Sequence, residues 1–174
     1  MFLNYFKNLL LKYTLRNKWQ DVSALSVTNA IRSVGLLIDE TNFFEKEQLI
    51  KELISNGLSA NSVSILVYRD TIDKKEVYSQ YTFNSSILDW KGTIGDAVVT
   101  EFIQTEFDLL VSYYEIEKAI LLLITNNSKA KFKVGLSSID KRFNHLTITT
   151  RISNYSIFAH ELFKYLKILN KIEL

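Results

Sequence analysis

Residues 107–137 constrain the fold more than any other stretch of this chain. The stretch opens with Phe-Asp-Leu-Leu-Val-Ser-Tyr-Tyr, runs through a helical segment and closes with Phe-Lys-Val-Gly-Leu-Ser. The helical segment has a broad apolar face formed by Ile116, Ala119, Ile120, Leu123 and Ile124. Two short apolar strands joined by a helix lie parallel in one sheet. The stretch therefore predicts a β-α-β unit whose helix is heavily buried.

The same alternation of strand and helix extends over the middle of the chain. Further apolar runs of strand length lie at 33–39, 63–68 and 146–150, and a weaker one at 77–83 suits an edge strand, for which an antiparallel orientation is one option. These runs predict an α/β fold, a three-layer sandwich with a mainly parallel, Rossmann-like sheet of five or six strands. The expected order is 63–68, 33–39, 107–113, 132–137 and 146–150, with helices on both faces.

Several local features of the helices and loops are also predicted. Asn42 and Glu45 nearly match a capping box at the start of a helix that ends at Asn56-Gly57. Thr93 and Asp96 mark the start of another, with Val98, Val99, Phe102 and Ile103 facing inward. The last helix begins near residue 153 or 154 and places Lys164, Lys167 and Lys171 outside. The ring of Trp90 is expected to plug the core.

Residues 1–20 form a basic segment distinct from the rest, and residues 21–174 are expected to form one α/β domain. The segment predicts an amphipathic helix with an apolar stripe of Phe2, Phe6, Leu9, Leu10 and Tyr13. Its candidate partner-binding residues are Lys7, Lys12, Arg16 and Lys18. Three interpretations stay open: the stripe packs on the domain, the helix docks on a partner protein or RNA, or it adsorbs to a membrane surface.

Composition excludes some classes of protein. The 174 residues include no cysteine and only two histidines, so no disulfide framework and no thiolate zinc site can form. Twenty-one basic against 19 acidic residues leave a net charge of +2, too small to make the whole surface a nucleic-acid-binding face. The longest aliphatic run, Ala119 to Ile124, is far shorter than the ~20 residues of a membrane span. We expect a cytoplasmic protein without a metal or cofactor.

A ligand crevice is expected where the carboxyl ends of the strands meet and the winding direction reverses. The residues that would line it are Asp39, Glu40, Ser112, Tyr113 and Ser137. The loop after the first strand has no glycine with which to cradle a phosphate, and none of the serines lies in a Gly-x-Ser-x-Gly elbow. Asp39, Glu40 and Asp70 offer oxygen ligands for a divalent cation, although solvated turn carboxylates are the more common use of such residues.

These observations favour a non-catalytic interaction module that docks a partner through its basic first helix. The alternative is a small-molecule-binding domain or enzyme that uses the crevice. A second alternative is an RNA- or ribosome-associated protein, whose binding would weaken steeply with salt.

The chain resembles an uncharacterised family of small bacterial α/β proteins with no assigned activity. The resemblance lies in the Lys-rich first helix, in Ser33-Val34-Gly35-Leu36-Leu37, in Trp90-Lys91-Gly92 and in the matching segments of residues 107–137. It implies one compact domain and brings no catalytic residues. Residues 107–137 are also similar to a strand-helix-strand segment in the N-terminal half of two-domain glycosyltransferases, a likeness that concerns the fold alone.

Overall fold

A computed structural model describes residues 30–73 and 75–172 of the chain. In these ranges the strands are β1 (Val34–Asp39), β2 (Val63–Tyr68), β3 (Tyr81–Phe83), β4 (Leu109–Tyr113), β5 (Lys133–Leu136) and β6 (Leu146–Ile148). The α-helices are α1 (Lys46–Ser55), α2 (Ala97–Gln104), α3 (Ala119–Asn127) and α4 (Tyr155–Ile168). The predicted helix over residues 1–20 lies outside the described residues.

The six strands form one sheet in the order β3-β2-β1-β4-β5-β6, and all neighbours are parallel. The predicted fold class is confirmed, and so is the predicted order of the five longer runs. The antiparallel option for the edge strand is wrong. Only Tyr81–Phe83 pairs with β2, and the twelve residues 69–80 are enough to return the chain for a parallel pairing.

Strands β1 and β4 are buried at every position, because helices cover both faces of the sheet. On one face α1 and α4 pack over a core that contains Leu36, Val111 and Phe158. On the other face α2 and α3 pack over a second core, which contains Leu37, Leu110 and Phe102. Successive side chains of each strand thus belong to different cores, as the period of a strand requires.

The ends of α1 and α2 show which of the predicted capping signals are present in the structure. At the end of α1, Gly57 has a φ of 126°, and its N–H and that of Leu58 donate to the carbonyls of Ile54 and Leu53. This is a Schellman motif, which confirms the predicted end. The capping-box prediction is wrong, because α1 begins only at Lys46 and its N-cap is Glu45. Asp96 does cap α2, accepting a bond of 2.9 Å from the N–H of Val99.

Some predicted orientations are wrong. Trp90 does not plug the core, because it lies at the tip of a turn and is 80% exposed. Val98 faces solvent beside the buried Val99. Ile116 is exposed because the loop after β4 occupies residues 114–118, so that α3 begins at Ala119. Lys171 is buried, since the left-handed φ of 51° at Asn170 turns the chain back over the ring of Phe132.

The two glycines inside strands are sites of close packing. A Cβ at Gly35 would lie 2.7 Å from Cδ2 of Phe107, and one at Gly135 would lie 2.6 Å from Nδ2 of Asn144. Small residues at these positions let the covering side chains approach the backbone.

Candidate functional site

The winding direction reverses between β1 and β4. The chain leaves β1 for α1 on one face of the sheet, and it leaves β4 for α3 on the opposite face. In parallel sheets of this topology, ligands bind in the crevice that opens between two such loops. We call this region, between the loops that follow β1 and β4, the strand-end crevice.

A shallow depression lies at the strand-end crevice. It has a volume of about 30 Å³ and is lined by Asp39, Asn42, Phe43, Glu115, Ile116 and Ile152. A space of this size accommodates one or two water molecules. Pockets for small organic ligands are about ten times larger or more.

Lys118 fills the part of the crevice beside this depression. Its Nζ lies 2.8 Å from Oδ2 of Asp39 and 2.9 Å from Oδ1 of Asp70, and it donates to Oγ1 of Thr41 at 2.9 Å. The ammonium also lies over the ring of Tyr68, 4.6 Å from its centroid. This one side chain therefore joins the loops after β1 and β2 to the start of α3.

The pKa values of two of its neighbours reflect this network. Burial alone would raise the pKa of Asp70, but hydrogen bonds from Lys118 and Tyr68 bring it below its ordinary value. Burial raises the pKa of Tyr68, and the hydrogen bond to Asp70 raises it further. Asp70 therefore stays a carboxylate and Tyr68 stays a phenol near neutral pH.

A second ion-pair network surrounds Glu40, which is buried. One carboxylate oxygen lies 3.2 Å from Nζ of Lys46, and the other lies 3.0 Å from Nε of Arg69. Arg69 also binds Glu76 at 2.9 Å and lies over the ring of Tyr78. The network connects the start of α1 to the segment between β2 and β3.

The loop after β4 is bound to its neighbours through two carboxylates. Oε2 of Glu115 accepts from the N–H of Ile152 at 3.2 Å, and Oε1 of Glu117 accepts from the N–H of Asp140 at 3.1 Å. These bonds connect the loop to the segments that follow β6 and β5. The polar groups of the crevice thus mainly hold loops to one another.

The structure places the predicted crevice residues at different locations. Asp39 lines the depression, and Glu40 lies beside it in the second network. The ring of Tyr113 is buried between Phe43 and Phe158, and its hydroxyl donates to the carbonyl of Ile152, a lining residue.

The two predicted serines do not line the depression. Ser112 points to the face of the sheet that α2 and α3 cover, and its Oγ lies 3.1 Å from Oγ1 of Thr125 in α3. Thr125 is also 2.8 Å from the hydroxyl of Tyr114, whose pKa is raised by burial. Ser137 is exposed just after β5, where its N–H donates to the carbonyl of Ile148. The basic candidates Lys7, Lys12, Arg16 and Lys18 lie outside the described residues.

The cations of the site were missed by the sequence reasoning. Lys118 immediately precedes the longest aliphatic run, Ala119 to Ile124, and Arg69 directly follows β2. The loops that follow β1 and β4 contain Glu40, Glu45, Glu115 and Glu117, and a basic residue in or beside such acidic loops is the signal that could have found them.

The three carboxylates that the sequence offers as ligands for a cation form ion pairs with basic side chains of the protein. Asp39 and Asp70 bind Lys118, and Glu40 binds Lys46 and Arg69. Over residues 30–73 and 75–172, no group of three or more His, Cys, Asp or Glu side chains is placed to hold a metal ion. In the same part of the chain, no helix combines the length and apolar character that crossing a bilayer demands.

Comparison with known proteins places the chain in a family. A family profile described as a family of unknown function (DUF6913) matches residues 7–169. The chain belongs to this family. The DUF6913 match includes every strand of the sheet, all of α4 and both loops of the strand-end crevice. No curated protein and no solved structure gives a match to the chain.

Proposed function

We propose that this DUF6913 domain is a non-catalytic, cytoplasmic interaction module that docks a partner protein through its basic N-terminal segment. The observation that supports this most is the position of Lys118, which occupies the strand-end crevice and bonds Asp39, Thr41 and Asp70. The absence of cysteine agrees with a reducing compartment.

The ion pairs argue against a catalytic role for the crevice residues. A general acid or base needs a proton-transferring atom that can reach the substrate. Asp39 and Glu40 are buried and paired, and Tyr113 is buried with its hydroxyl bound to a carbonyl. These groups are arranged to hold the loops in place, which leaves the surface outside the crevice as the functional region.

The docking experiment compares two variants with the same change in charge. In the first, Lys7, Lys12, Arg16 and Lys18 are changed to serine; in the control, the exposed Lys51, Lys75, Lys129 and Lys141 are changed to serine. Quantitative mass spectrometry of proteins recovered from lysate should show a partner that the first variant loses at least about tenfold and the control retains. Equal recovery by both variants would contradict the proposal.

Nuclease treatment separates this proposal from RNA or ribosome binding. If RNA is the partner, recovery disappears after RNase, and the affinity of the purified complex falls steeply between about 50 and 200 mM salt. A protein partner survives RNase. Loss of all recovered proteins on RNase treatment would therefore replace the protein-docking proposal with the RNA one.

A small-molecule-binding domain is the second candidate, because the depression beside Asp39 lies where this topology normally binds ligands. Thermal-shift screening with nucleotides, sugar phosphates and divalent ions tests it. A ligand at one hundred times its Kd stabilises the folded state by about 2.7 kcal/mol, an easily measured shift. A shift seen in the wild type and lost in Lys118→Met would favour this candidate over the interaction module.

A further inference from the structure

The side-chain amide of Asn144 is buried without a hydrogen-bond partner from the protein. The residue is 4% exposed, and neither Oδ1 nor Nδ2 bonds another atom in the part of the chain that the structure describes. A buried polar group without a partner is costly, and most such groups in folded proteins are paired either with protein atoms or with ordered water. The amide therefore points to a bound polar molecule.

The register of the sheet places this amide beside Ser112. The amide lies over Gly135 of β5, where an added Cβ would be 2.6 Å from Nδ2 and 3.1 Å from Oδ1 of Asn144. Gly135 is in register with Ser112 of the neighbouring strand β4, and residues in register on parallel strands point to the same face of a sheet. Ser112 bonds Thr125 of α3, so this is the face that α3 covers. The amide of Asn144 thus lies between the sheet and α3, one strand away from Ser112.

The spacing of the two strands matches the span of one bridging water molecule. Neighbouring strands lie about 4.8 Å apart, which is longer than a direct hydrogen bond of about 3 Å. Two successive hydrogen bonds of about 2.8 Å through one water oxygen span about 4.5–5.5 Å. The hydroxyl of Ser112 has bonding capacity beyond its contact with Thr125, since it combines one donor with two lone pairs. Gly135, Ser112 and Thr125 are all small, as a site for a water molecule between them requires.

Lys133 adds a further donor on the same face of the sheet. It lies two residues before Gly135 in β5, and its Nζ donates to the carbonyls of Thr125 at 2.8 Å and Asn126 at 3.1 Å. An ammonium has three N–H groups, so one of them is available beyond these two bonds. The space below α3 is therefore lined by an amide, hydroxyls and an ammonium, which suits a buried water that typically makes about three hydrogen bonds.

We propose that one buried water molecule is bound between the amide of Asn144 and the hydroxyl of Ser112. The water both donates and accepts, so it pairs with these two side chains whichever way round the amide lies. It connects the segment before β6 to the hydroxyl group that fixes α3 to β4. This inference does not depend on the proposed function, because it concerns a site inside the domain and not the surface that docks a partner.

A high-resolution crystal structure of the full chain tests the site directly. We expect a solvent peak within about 3.2 Å of both an amide atom of Asn144 and Oγ of Ser112. The same peak should disappear in crystals of Asn144→Leu, which removes one of the two partners. An amide that bonds a protein atom directly, or no solvent peak between the two side chains, would overturn the proposal.

The thermal midpoint of unfolding gives a second test that needs no crystal. If the amide of Asn144 had no partner, an apolar side chain of similar size would raise the midpoint; if water pairs it, the same change removes hydrogen bonds. We expect Asn144→Leu to lower the midpoint by about 2 °C or more. A smaller decrease, or any increase, would overturn the proposal.

Two double-mutant cycles separate the shared water from general loss of packing. Asn144→Leu already removes the water, so adding Ser112→Ala should lower the midpoint by clearly less than it does in the wild type. The control cycle combines Asn144→Leu with Ser33→Ala. The hydroxyl of Ser33 bonds Asp108, which is about 13 Å from Ser112 along β4, and these two losses should add within about 1 °C. Equal departures from additivity in the two cycles, or additivity in both, would overturn the proposal.

Discussion

Gly35 lies in β1 beneath two aromatic rings, and the space above it is already filled. A Cβ at this position would lie 2.7 Å from Cδ2 of Phe107 and 2.9 Å from Cζ of Phe102. Both rings are buried, so neither can move into solvent. Gly35→Ala should therefore lower the free energy of unfolding by about 1–3 kcal/mol in urea denaturation, through overpacking.

Gly95→Ala is the matched control for this substitution. Its added Cβ would lie 3.7 Å from the nearest atom, the carbonyl oxygen of Ile87, which is ordinary van der Waals contact. We expect a change of less than about 0.5 kcal/mol. Adding Phe107→Leu to Gly35→Ala should recover part of the loss, and no recovery would show that the clash is not the cause.

The lowered pKa of His145 should make the free energy of unfolding depend on pH. Its Nδ1 accepts from the N–H of Lys133 at 2.9 Å, and burial, together with the charges of Lys133 and Lys171, lowers its pKa to about 4. The unfolded chain binds this proton near pH 6.5 and the folded protein only near pH 4, so stability falls as the pH drops through that window. The loss should be on the order of 2 kcal/mol by pH 4.

His145→Asn keeps an acceptor for the N–H of Lys133 and does not titrate. Urea unfolding at pH 6.5 and pH 5 should differ less for this variant than for the wild type. His160→Asn, which changes the only other histidine, an exposed one on α4, should retain the wild-type difference. An unchanged difference in His145→Asn would show that other groups cause the pH dependence.

At the scale of elements, α3 is fixed to β4 by buried hydroxyls as well as by apolar contacts. Thr125 is the centre of this group, bonded to Ser112 at 3.1 Å and to Tyr114 at 2.8 Å. Thr125→Val keeps the shape but removes the hydroxyl that Ser112 and Tyr114 share, and Tyr114 is left with its contact to Ser112 and a long bond to the carbonyl of Leu121. Its expected cost is about 2 kcal/mol, because buried polar groups lose their partners.

Ser112→Ala tests the same contact from the other side. Thr125 keeps its bond to Tyr114 in this variant, so the expected cost is smaller, about 1 kcal/mol. Denaturant unfolding should show a larger loss in the free energy of unfolding for Thr125→Val than for Ser112→Ala. Equal costs, or a larger cost for Ser112→Ala, would show that Thr125 is not the centre of the group.

The whole sheet was predictable to a large extent, because its central strands are buried on both faces. Such strands appear in sequence as continuous apolar runs, as Val34–Asp39 and Leu109–Tyr113 do, and right-handed crossovers then restrict their order. The edge strand β3 has only three residues, two of them outside the core, so its pattern is too short to show its orientation.

The candidate site was predicted only in part. Asp39 and Glu40 could be named from the sequence because they lie at the end of a buried strand. Ser112 and Tyr113 were expected on one rim, although adjacent strand residues point to opposite faces and the structure separates them. Lys118 and Arg69 could not be assigned as partners, since Lys118 is 77 residues from Thr41 and Arg69 is 29 residues from Glu40. Such pairings exist only once the sheet has formed.

Across the whole molecule, the seam between β1 and β4 is held at both ends by charged side chains. At the strand-end crevice this is done by Lys118. At the opposite end, Oδ2 of Asp108 accepts from the N–H groups of Arg32 and Ser33 at 3.0 and 3.1 Å, and Oδ1 binds Lys131 at 2.8 Å. Burial alone would raise the pKa of Asp108, but these partners lower it to about 2.

Asp108 should therefore contribute stability above pH 4 that is lost as the pH falls toward 2, since the unfolded chain binds the proton first. Asp108→Asn should cost about 1–2 kcal/mol at pH 7, a value reduced by contact with solvent, and should flatten the pH dependence between about 4 and 2. Lys118→Met leaves the buried Asp39 unpaired and should cost about 2–4 kcal/mol without that flattening.

The double variant tests whether the two ends of the seam act independently. They are separated by the length of β1, about 20 Å, and share no partner, so the two costs should add within about 0.5 kcal/mol in urea unfolding at pH 7. A double variant clearly less destabilised than the sum would mean that releasing one end of the seam already frees the other. In that case the contact between β1 and β4 would open in one cooperative step. The stability of the domain would then depend on this contact as a whole more than on either ion pair.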